Sequence, residues 1–387
     1  MDSTVEPGTA VVTPPRPAIR NAIAEIGWAP IALVVVALVV LVWLGRDMTF
    51  YHDEFAFLLL RDLSPAGIFA PHNEHLSATL VILYRTLVGT VGTVSYWPYL
   101  GVTFALHFIV AAIVYVVVRR ESTAAWALGA MAVMLLLGSG GDDILWAFQS
   151  GTIGATAAGM AAVVVAPRRP AVAAILLTIG FATSGAALAF FVATVVHLLL
   201  TRPRALVWLA LPVGLYLAWY VTFGATRMVA LRSPSFDGVP EYVLAGLVAS
   251  AAGVVGSVLP VVGSIVLLAL TFGLGRARTV PPVVLALLAS SVAFFFIAGL
   301  VRAQLGAEQA TAPRYVYVAA PGLLVAGAVL LARLRRPWRD VVGVAVLTIA
   351  LVGNVVLLVE SHDRLVSHMD CERTLTPIAR GSAGNPC

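Results

Sequence analysis

The sequence predicts an all-α fold, a polytopic bundle of about eleven transmembrane helices with the N-terminus inside and the C-terminus outside. Hydrophobic residues make up 60% of the 387 residues, only 11% are charged, and the mean hydropathy is +0.97. A soluble protein, which has roughly a quarter of its residues charged, is therefore excluded. Apolar stretches of about 20 residues, long enough to cross a bilayer, recur between arginine-rich turns.

The position of the charges carries more information than their sum. The net charge is +5 and the isoelectric point is about 9.5, which in a soluble protein would suggest nucleic-acid binding. All basic residues here are arginine, and most lie in short clusters between apolar stretches. With these clusters inside, the cytoplasmic side has fourteen Arg and five acidic residues, and the outer side has ten Arg and fourteen acidic residues. The charge therefore indicates orientation, and no nucleic-acid partner is expected.

The source membrane is predicted from composition. Heavy use of Ala, Val and Gly without any Lys is typical of a GC-rich bacterial genome. We therefore expect a multi-pass protein of the bacterial plasma membrane, with the lipid bilayer as its first partner.

The first predicted span is Ile26–Gly45, which follows a cytoplasmic tail over residues 1–25. Its apolar run is too long for a signal peptide and lacks a small-residue cleavage site. The clear further spans are Tyr99–Val118, Thr123–Gly138, Ile144–Ala166, Ala205–Gly224, Pro281–Leu300, Tyr315–Ala332 and Val341–Val359.

Three other apolar segments are assigned by parity, because an even number of crossings must separate two inside clusters. Ala171–Leu200 is predicted as a hairpin of two short helices with its tip near Ser184. Tyr242–Gly275 is predicted as an interfacial helix followed by one crossing. Leu76–Val91 is predicted to lie along the outer interface instead of crossing.

These assignments divide the chain into three parts. The transmembrane module covers 26–359, with a first outer loop over 46–98 that includes the interfacial helix, and 360–387 form an extracytoplasmic tail. Cys371 and Cys387 both lie in this tail, where an oxidising compartment permits a disulfide. Two free thiols are the alternative.

The first outer loop holds most of the polar chemistry. Asp53 and Glu54 are flanked by Tyr51 and Phe55, which indicates a site at the membrane surface. A loop whose carboxylates only satisfy the charge rule is the alternative. Further along the same loop stand the substrate-binding candidates His72, Glu74 and His75. Two His three residues apart are a weak metal signal without a third recognisable ligand, so a metal site stays unassigned.

A second acidic pair, Asp142 and Asp143, stands in the outer turn after the third span, with Gln149 close behind. We select these residues as substrate-binding candidates. The alternative is that Asp143 caps the next helix.

The last outer loop contributes Arg302 and the pair Arg314-Tyr315. The planar guanidinium of Arg suits phosphate binding. The alternative is that these are ordinary interfacial residues, an arginine reaching for the headgroups beside a tyrosine of the aromatic belt.

The order of these features resembles the GT-C superfamily, integral-membrane glycosyltransferases that use polyprenyl-phosphate sugars. The superfamily includes protein O-mannosyltransferases and lipid A aminoarabinose transferases. The resemblance lies in one span before Asp53-Glu54, a long first outer loop with an interfacial helix, and many short-looped spans. More narrowly, GT-C-type membrane proteins of actinobacteria have runs similar to Asp53-Glu54, Pro71-His72-Asn73-Glu74-His75, Ser95-Tyr96-Trp97-Pro98-Tyr99 and Arg314-Tyr315.

The resemblance implies an inverting transferase facing outside. Asp53, with Glu54 beside it, corresponds to the catalytic carboxylate and acts as general base on a hydroxyl of a glycan, lipid or protein acceptor. Arg314, with Tyr315 and Arg302, binds the donor phosphate and stabilises it as it leaves. Larger members carry a folded outer domain after the last span, whereas only the 28 residues of the tail are expected here. This puts a protein acceptor in doubt.

The sequence does not decide the cofactor or exclude competing functions. No cofactor is certain, but some relatives use a divalent cation, and Glu54 with Asp142 or Asp143 would be able to hold Mg or Mn. A transporter or flippase for lipid-linked sugars would also show an acidic outer cavity with arginines. Transporters, however, place functional polar residues near mid-membrane, often in inverted repeats. A third alternative is a non-catalytic GT-C-like partner protein.

Overall fold

A computed structural model describes residues 27–73, 75–225 and 236–375, without the side chains of 373–375. Within these ranges all regular elements are helical, so the all-α prediction is confirmed for them. The helices are α1 (Ala29–Gly45), α2 (Pro65–Phe69), α3 (Ala78–Val91), α4 (Trp97–Glu121), α5 (Ala124–Leu135), α6 (Gly141–Leu145), α7 (Ser150–Val165), α8 (Pro170–Thr183), α9 (Ala187–Thr201), α10 (Ala210–Trp219), α11 (Val239–Val254), α12 (Pro260–Arg276), α13 (Pro282–Arg302), α14 (Pro313–Leu331) and α15 (Trp338–Leu375).

Seven helical stretches in the described ranges are long and apolar enough to cross a membrane, which indicates a membrane protein. They are Trp97–Glu121, Ala124–Leu145, Ala147–Val165, Pro203–Gly224, Pro282–Leu305, Pro313–Leu331 and Trp338–Glu372. Eleven crossings would also require some of the shorter apolar helices, such as α1 with 17 residues, to span the bilayer. The count of eleven therefore stays a prediction.

The hairpin predicted within Ala171–Leu200 forms the two short helices α8 and α9. The turn between them runs through Ser184, as expected. Gly180 and Ala187 face each other across the hairpin, and a Cβ on Gly180 would lie 3.0 Å from the Cβ of Ala187. Small residues therefore let the two helices approach closely, as in other membrane helix pairs.

Arginine-rich turns lie beside one another. The Arg333 guanidinium donates to the Thr279 carbonyl at 2.7 Å, next to the turn that holds Arg276 and Arg278. Arg202 donates to the Pro167 carbonyl at 3.3 Å, next to Arg168 and Arg169. This adjacency is what the orientation prediction requires, although the side that faces the cytoplasm stays a prediction.

The turn between α5 and α7 differs from the prediction. Ile144, expected to begin a span, lies in the five-residue helix α6, and α7 begins at Ser150. The preceding backbone presses against α15, because a Cβ on Gly138 would lie 1.9 Å from the Asn354 carbonyl oxygen. The Asn354 side chain also accepts from the Ser139 N–H at 3.2 Å. Only glycine permits this approach, so the run Gly138-Ser139-Gly140-Gly141 serves packing as well as turning.

The last helix is longer than predicted. The final span was expected to end at Val359 and to be followed by the tail 360–387, but α15 continues without a break to Leu375. Its added turns pack on the first outer loop, where Thr49 N–H donates to Met369 Sδ at 3.4 Å and His52 N–H donates to Glu372 Oε2 at 3.2 Å. Cys371 is disulfide-bonded, which goes against the alternative of two free thiols. Its expected partner Cys387 lies outside the described residues, as does the tail over 1–25.

Candidate functional site

One cavity of about 350 Å³ gathers residues from distant parts of the chain. Its walls come from the first outer loop, the tip of the α8–α9 hairpin, α13 and the start of α14. Seven of the eleven predicted site residues line it: Asp53, His72, His75, Gln149, Arg302, Arg314 and Tyr315. Its size is typical of small-molecule sites. The sequence thus identified residues that line one cavity, without showing that they lie together.

A tight turn directs the loop histidines to the cavity. His72 and His75 exchange two backbone hydrogen bonds, of 3.0 and 3.1 Å, around Asn73, whose φ is +51°. His75 packs on the hairpin tip, because a Cβ on Gly185 would lie 2.4 Å from His75 Nδ1. A left-handed Asn and a close-approach Gly therefore join the loop to the hairpin. Glu74, the remaining predicted residue of this turn, lies outside the described residues.

Arg61 has a structural place in the same loop. Its guanidinium donates to the carbonyls of Gly67 (3.2 Å), Ala70 (2.9 Å) and Pro71 (2.8 Å). These carbonyls are at the end of α2 and just beyond it, so Arg61 closes the loop from within. It does not line the cavity.

Asp53 presents an ionised carboxylate to the cavity. Its side chain is 32% exposed, and the Nε2 atoms of His52 and His72 each lie 3.8 Å from its Oδ1, a distance for ion pairing. Burial raises the pKa of Asp53, but the adjacent His72, then His52 and the Arg314 charge, outweigh it and hold the pKa below the ordinary value. Asp53 is therefore negatively charged at neutral pH.

Glu54 is turned away from the cavity and is fully buried. Its oxygens accept from the Tyr84 hydroxyl at 2.6 Å, the Tyr51 N–H at 2.9 Å, and the Trp146 Nε1–H and Tyr96 hydroxyl at 3.2 Å. Burial raises the pKa of Glu54 to about 8, against the lowering effect of these donors. The two neighbouring carboxyl groups thus differ in both place and charge.

Another part of the cavity wall carries two arginines that contact one phenol, that of Tyr315. Arg302 donates to the hydroxyl of Tyr315. The Arg302 and Arg314 guanidinium carbons lie 5.8 and 5.3 Å from the Tyr315 ring centroid, within cation–π range. Tyr315 therefore holds both guanidinium groups near the cavity, which makes this wall suited to an anion.

The second acidic pair does not reach the cavity. Asp142 Oδ1 accepts from the Arg364 guanidinium at 2.6 Å, near the protein surface. Asp143 is fully buried, and neither of its carboxylate oxygens has a hydrogen-bond partner among the described residues. Neither α6 nor α7 has a side-chain cap, so the expectation that Asp143 caps the next helix is wrong.

The described residues offer no grouping of three or more His, Cys, Asp or Glu side chains that would hold a metal ion. The expected combination of Glu54 with Asp142 or Asp143 is not assembled here. Glu54 already accepts hydrogen bonds at both oxygens, and Asp142 is paired with Arg364.

Sequence reasoning did not select the two tyrosine hydroxyls that hold Glu54. Tyr84 and Tyr96 are both buried, and the Tyr96 hydroxyl also accepts from the Ala147 N–H at 2.8 Å. A phenol in a largely apolar helix such as α3 was the available signal, because a buried hydroxyl needs a partner.

Comparisons of the chain with protein-family models, with characterised proteins and with solved structures find no match. The site therefore has to be interpreted from its own geometry. An ionised carboxylate and two cations around one small-molecule cavity can bind a polar ligand that has an anionic group, and can accept a proton from it or from a second substrate.

Proposed function

We propose that this chain is a membrane glycosyltransferase of the GT-C type. It transfers a sugar from a polyprenyl-phosphate donor to an acceptor hydroxyl at the outer face of the bacterial plasma membrane. The observation that supports this most strongly is the cavity shared by Asp53, Arg302 and Arg314. A general base and a phosphate-binding group in one cavity are the minimum that this reaction needs.

Asp53 is the general base in this proposal. A hydroxyl is a poor nucleophile at neutral pH, so the acceptor transfers its proton to the Asp53 carboxylate as its oxygen attacks the anomeric carbon. The new carbon–oxygen bond forms as the bond to the donor phosphate breaks, and the configuration inverts. The lowered pKa of Asp53 keeps it ionised and ready to accept the proton.

Arg314 and Arg302 bind the phosphate of the donor. Negative charge accumulates on the leaving phosphate, and a preorganised guanidinium stabilises that charge without having to reorganise. Tyr315 contacts both arginines and so fixes their positions. Arg is better suited than Lys to this role because its planar group offers paired donors.

Glu54 positions Asp53 instead of reacting. It is fully buried, and its oxygens bind groups from the loop, α3 and the segments before α4 and α7. Because it is adjacent to Asp53, these contacts fix the backbone from which the base projects.

The donor reaches the site from the membrane. Part of the cavity wall is apolar and comes from Phe294, Ile297 and Val301 of α13. A polyprenyl chain is an apolar polymer, whereas sugar nucleotides are not supplied outside the cell. A lipid-linked donor therefore suits a site at the outer membrane surface.

The proposal is tested by product formation. Purified full-length protein in nanodiscs is given polyprenyl-phosphate mannose or arabinose with a radiolabelled sugar, together with glycan, lipid and peptide acceptors. We expect label to move to a hydroxyl acceptor and polyprenyl phosphate to be released. Movement of intact lipid-linked sugar across vesicles without any product would contradict the proposal and favour a flippase.

A further inference from the structure

A second cavity lies next to the site and is almost wholly apolar. It has a volume of about 270 Å³ and is lined by residues of four helices, α3, α4, α7 and α8. Its lining residues in the described part of the chain include no charged side chain. Such a surface binds hydrocarbon, and it offers nothing to a sugar or a phosphate.

The second cavity, an apolar groove, adjoins the polar cavity. Leu80 of α3 and Thr183 of α8 line both of them. On the groove side of this junction the wall is formed by small residues of α7, among them Gly154 and Ala158. A Cβ on Gly154 would lie 3.3 Å from Thr183 Cγ2, so glycine keeps the groove wide at the junction.

The lining of the groove includes a helix that is bonded to the Asp53 loop, and it includes neither helix that carries the arginines. The loop that carries Asp53 is joined to α3 through the hydrogen bond between Glu54 and Tyr84. Arg302 and Arg314 belong to α13 and α14, and neither helix contributes to the groove lining. The groove is therefore built from the elements that hold the base.

The geometry of the proposed reaction indicates which substrate occupies the groove. In an inverting transfer the attacking oxygen and the leaving phosphate lie on opposite faces of the anomeric carbon. With the phosphate at the arginines, the acceptor approaches from the side of Asp53. A groove on that side receives the remainder of the acceptor, while the donor chain leaves the phosphate on the other side.

We infer that the acceptor is a lipid, a hydroxyl-bearing headgroup on a hydrocarbon chain, and that its chain lies in the groove between α3, α4, α7 and α8. This inference rests on the proposed function and names the acceptor class that the function leaves open. The headgroup hydroxyl then lies near Asp53, and the chain passes the junction formed by Leu80 and Thr183.

Photolabelling tests the groove without depending on catalysis. The full chain in nanodiscs is labelled with a dodecyl glucoside that has a diazirine in its chain, and separately with phosphatidylcholine that has the same group. We expect the glucoside to label 154–161 and 176–183. Ala158→Phe, which fills the groove, should lower this labelling at least fivefold. Equal labelling of these segments by phosphatidylcholine would show that the groove is a bulk lipid site only, and would overturn the inference.

Two further variants separate misfolding from loss of the groove. Ala105→Phe adds the same bulk at an exposed position of α4 outside the groove and should leave labelling unchanged. Ile109→Trp enlarges a half-exposed rim residue and should lower labelling in a protein with an unchanged melting temperature. Undiminished labelling in both Ala158→Phe and Ile109→Trp would overturn the inference.

Transfer to dodecyl glucoside and to methyl glucoside distinguishes the two proposals. We expect the KM for dodecyl glucoside to be at least tenfold lower, and Ala158→Phe to remove this difference. Equal KM values with normal transfer would overturn the lipid acceptor and leave the transferase intact. Absence of transfer from every donor, with groove labelling retained, would overturn the transferase and the acceptor role together.

Discussion

The two acidic pairs of this protein share a pattern of burial and differ in the partners of their carboxyl groups. In both Asp53-Glu54 and Asp142-Asp143, one carboxyl group is fully buried and its neighbour is not. The buried Glu54 is surrounded by hydrogen-bond donors, which leaves Asp53 positioned at the cavity. In the second pair the buried member has no hydrogen-bond partner among the described residues, and Asp142 is bound by Arg364.

This comparison shows what makes a surface carboxylate available for chemistry. Asp53 has two His rings at ion-pair distance but, among the described residues, no arginine contact like the one that neutralises Asp142. A carboxylate that is ionised, held in place and facing a cavity can accept a proton, while one paired with a guanidinium is engaged. Substitutions in both acidic pairs and at the arginines test this difference.

Asp53→Asn should have the largest effect. The amide keeps the size of the side chain but cannot accept the hydroxyl proton, and general-base catalysis contributes roughly 100- to 10,000-fold. We expect kcat to fall by about that factor while donor affinity, measured by equilibrium binding of radiolabelled donor, stays near the wild-type value. Loss of binding together with kcat would instead indicate a structural role.

Arg314→Ala should have the next largest effect. Removal of a group that stabilises developing charge costs on the order of 100-fold in kcat, and here the donor affinity should weaken as well because the phosphate loses a cation. Steady-state kinetics with varied donor provide the measurement. Arg364→Ala, which removes an exposed arginine that does not line the cavity, is the matched control and should change kcat less than about threefold.

Glu54→Gln should alter stability and its pH dependence. The side-chain amide can keep its carbonyl oxygen on the Tyr51 N–H and the Trp146 Nε1–H, but its NH2 group then replaces the oxygen that accepts from the Tyr84 hydroxyl. The loss of that bond costs about 0.5–1.5 kcal/mol. In the wild type, burial raises the pKa of Glu54 from 4.5 to about 8, so its contribution to stability is full below pH 4.5 and is lost as the pH rises to about 8.

Thermal unfolding of wild type and Glu54→Gln between pH 4 and 9 measures this contribution. We expect the wild-type Tm to decline across that window and the variant to start lower with a flatter profile. Parallel profiles for the two proteins would contradict a buried, proton-binding Glu54.

Asp142→Asn should have the smallest effect. Its partner Arg364 is 42% exposed, and exposed ion pairs contribute only about 0–1 kcal/mol. We expect a Tm within about two degrees of the wild type, since one kcal/mol shifts Tm by only a few degrees in a chain of this size. A loss of transfer comparable with that of Asp53→Asn would show that the second pair also takes part in the reaction.

The helical architecture was predictable because apolar length and arginine position determine where a chain enters and leaves a bilayer. The extension of α15 was not. Residues 360–375 have no apolar run, and their helix is stabilised by packing on the first loop through Met369 and Glu372. Polar helices that depend on tertiary contacts leave little trace in hydropathy.

Most residues of the candidate site were predictable, but which carboxyl group is buried and which faces the cavity was not. Carboxylates, histidines and arginines near the predicted outer surface were identifiable, and most line one cavity. The burial of Glu54 depends on Tyr84 and Tyr96, 30 and 42 residues away, and Asp142 meets an arginine 222 residues away. Such distant pairs follow from the packing of the bundle, which one sequence does not determine.

Azide rescue of Asp53→Ala tests the central claim most directly. Azide is already anionic and needs no base, so it can attack the anomeric carbon and form a carbon–nitrogen bond as polyprenyl phosphate leaves. We predict that azide restores turnover of donor by Asp53→Ala, with a glycosyl azide of inverted configuration, and does not rescue Arg314→Ala. If Asp53→Ala transferred sugar to a hydroxyl acceptor at the wild-type rate and formed no glycosyl azide, the assignment of Asp53 as the base would be contradicted.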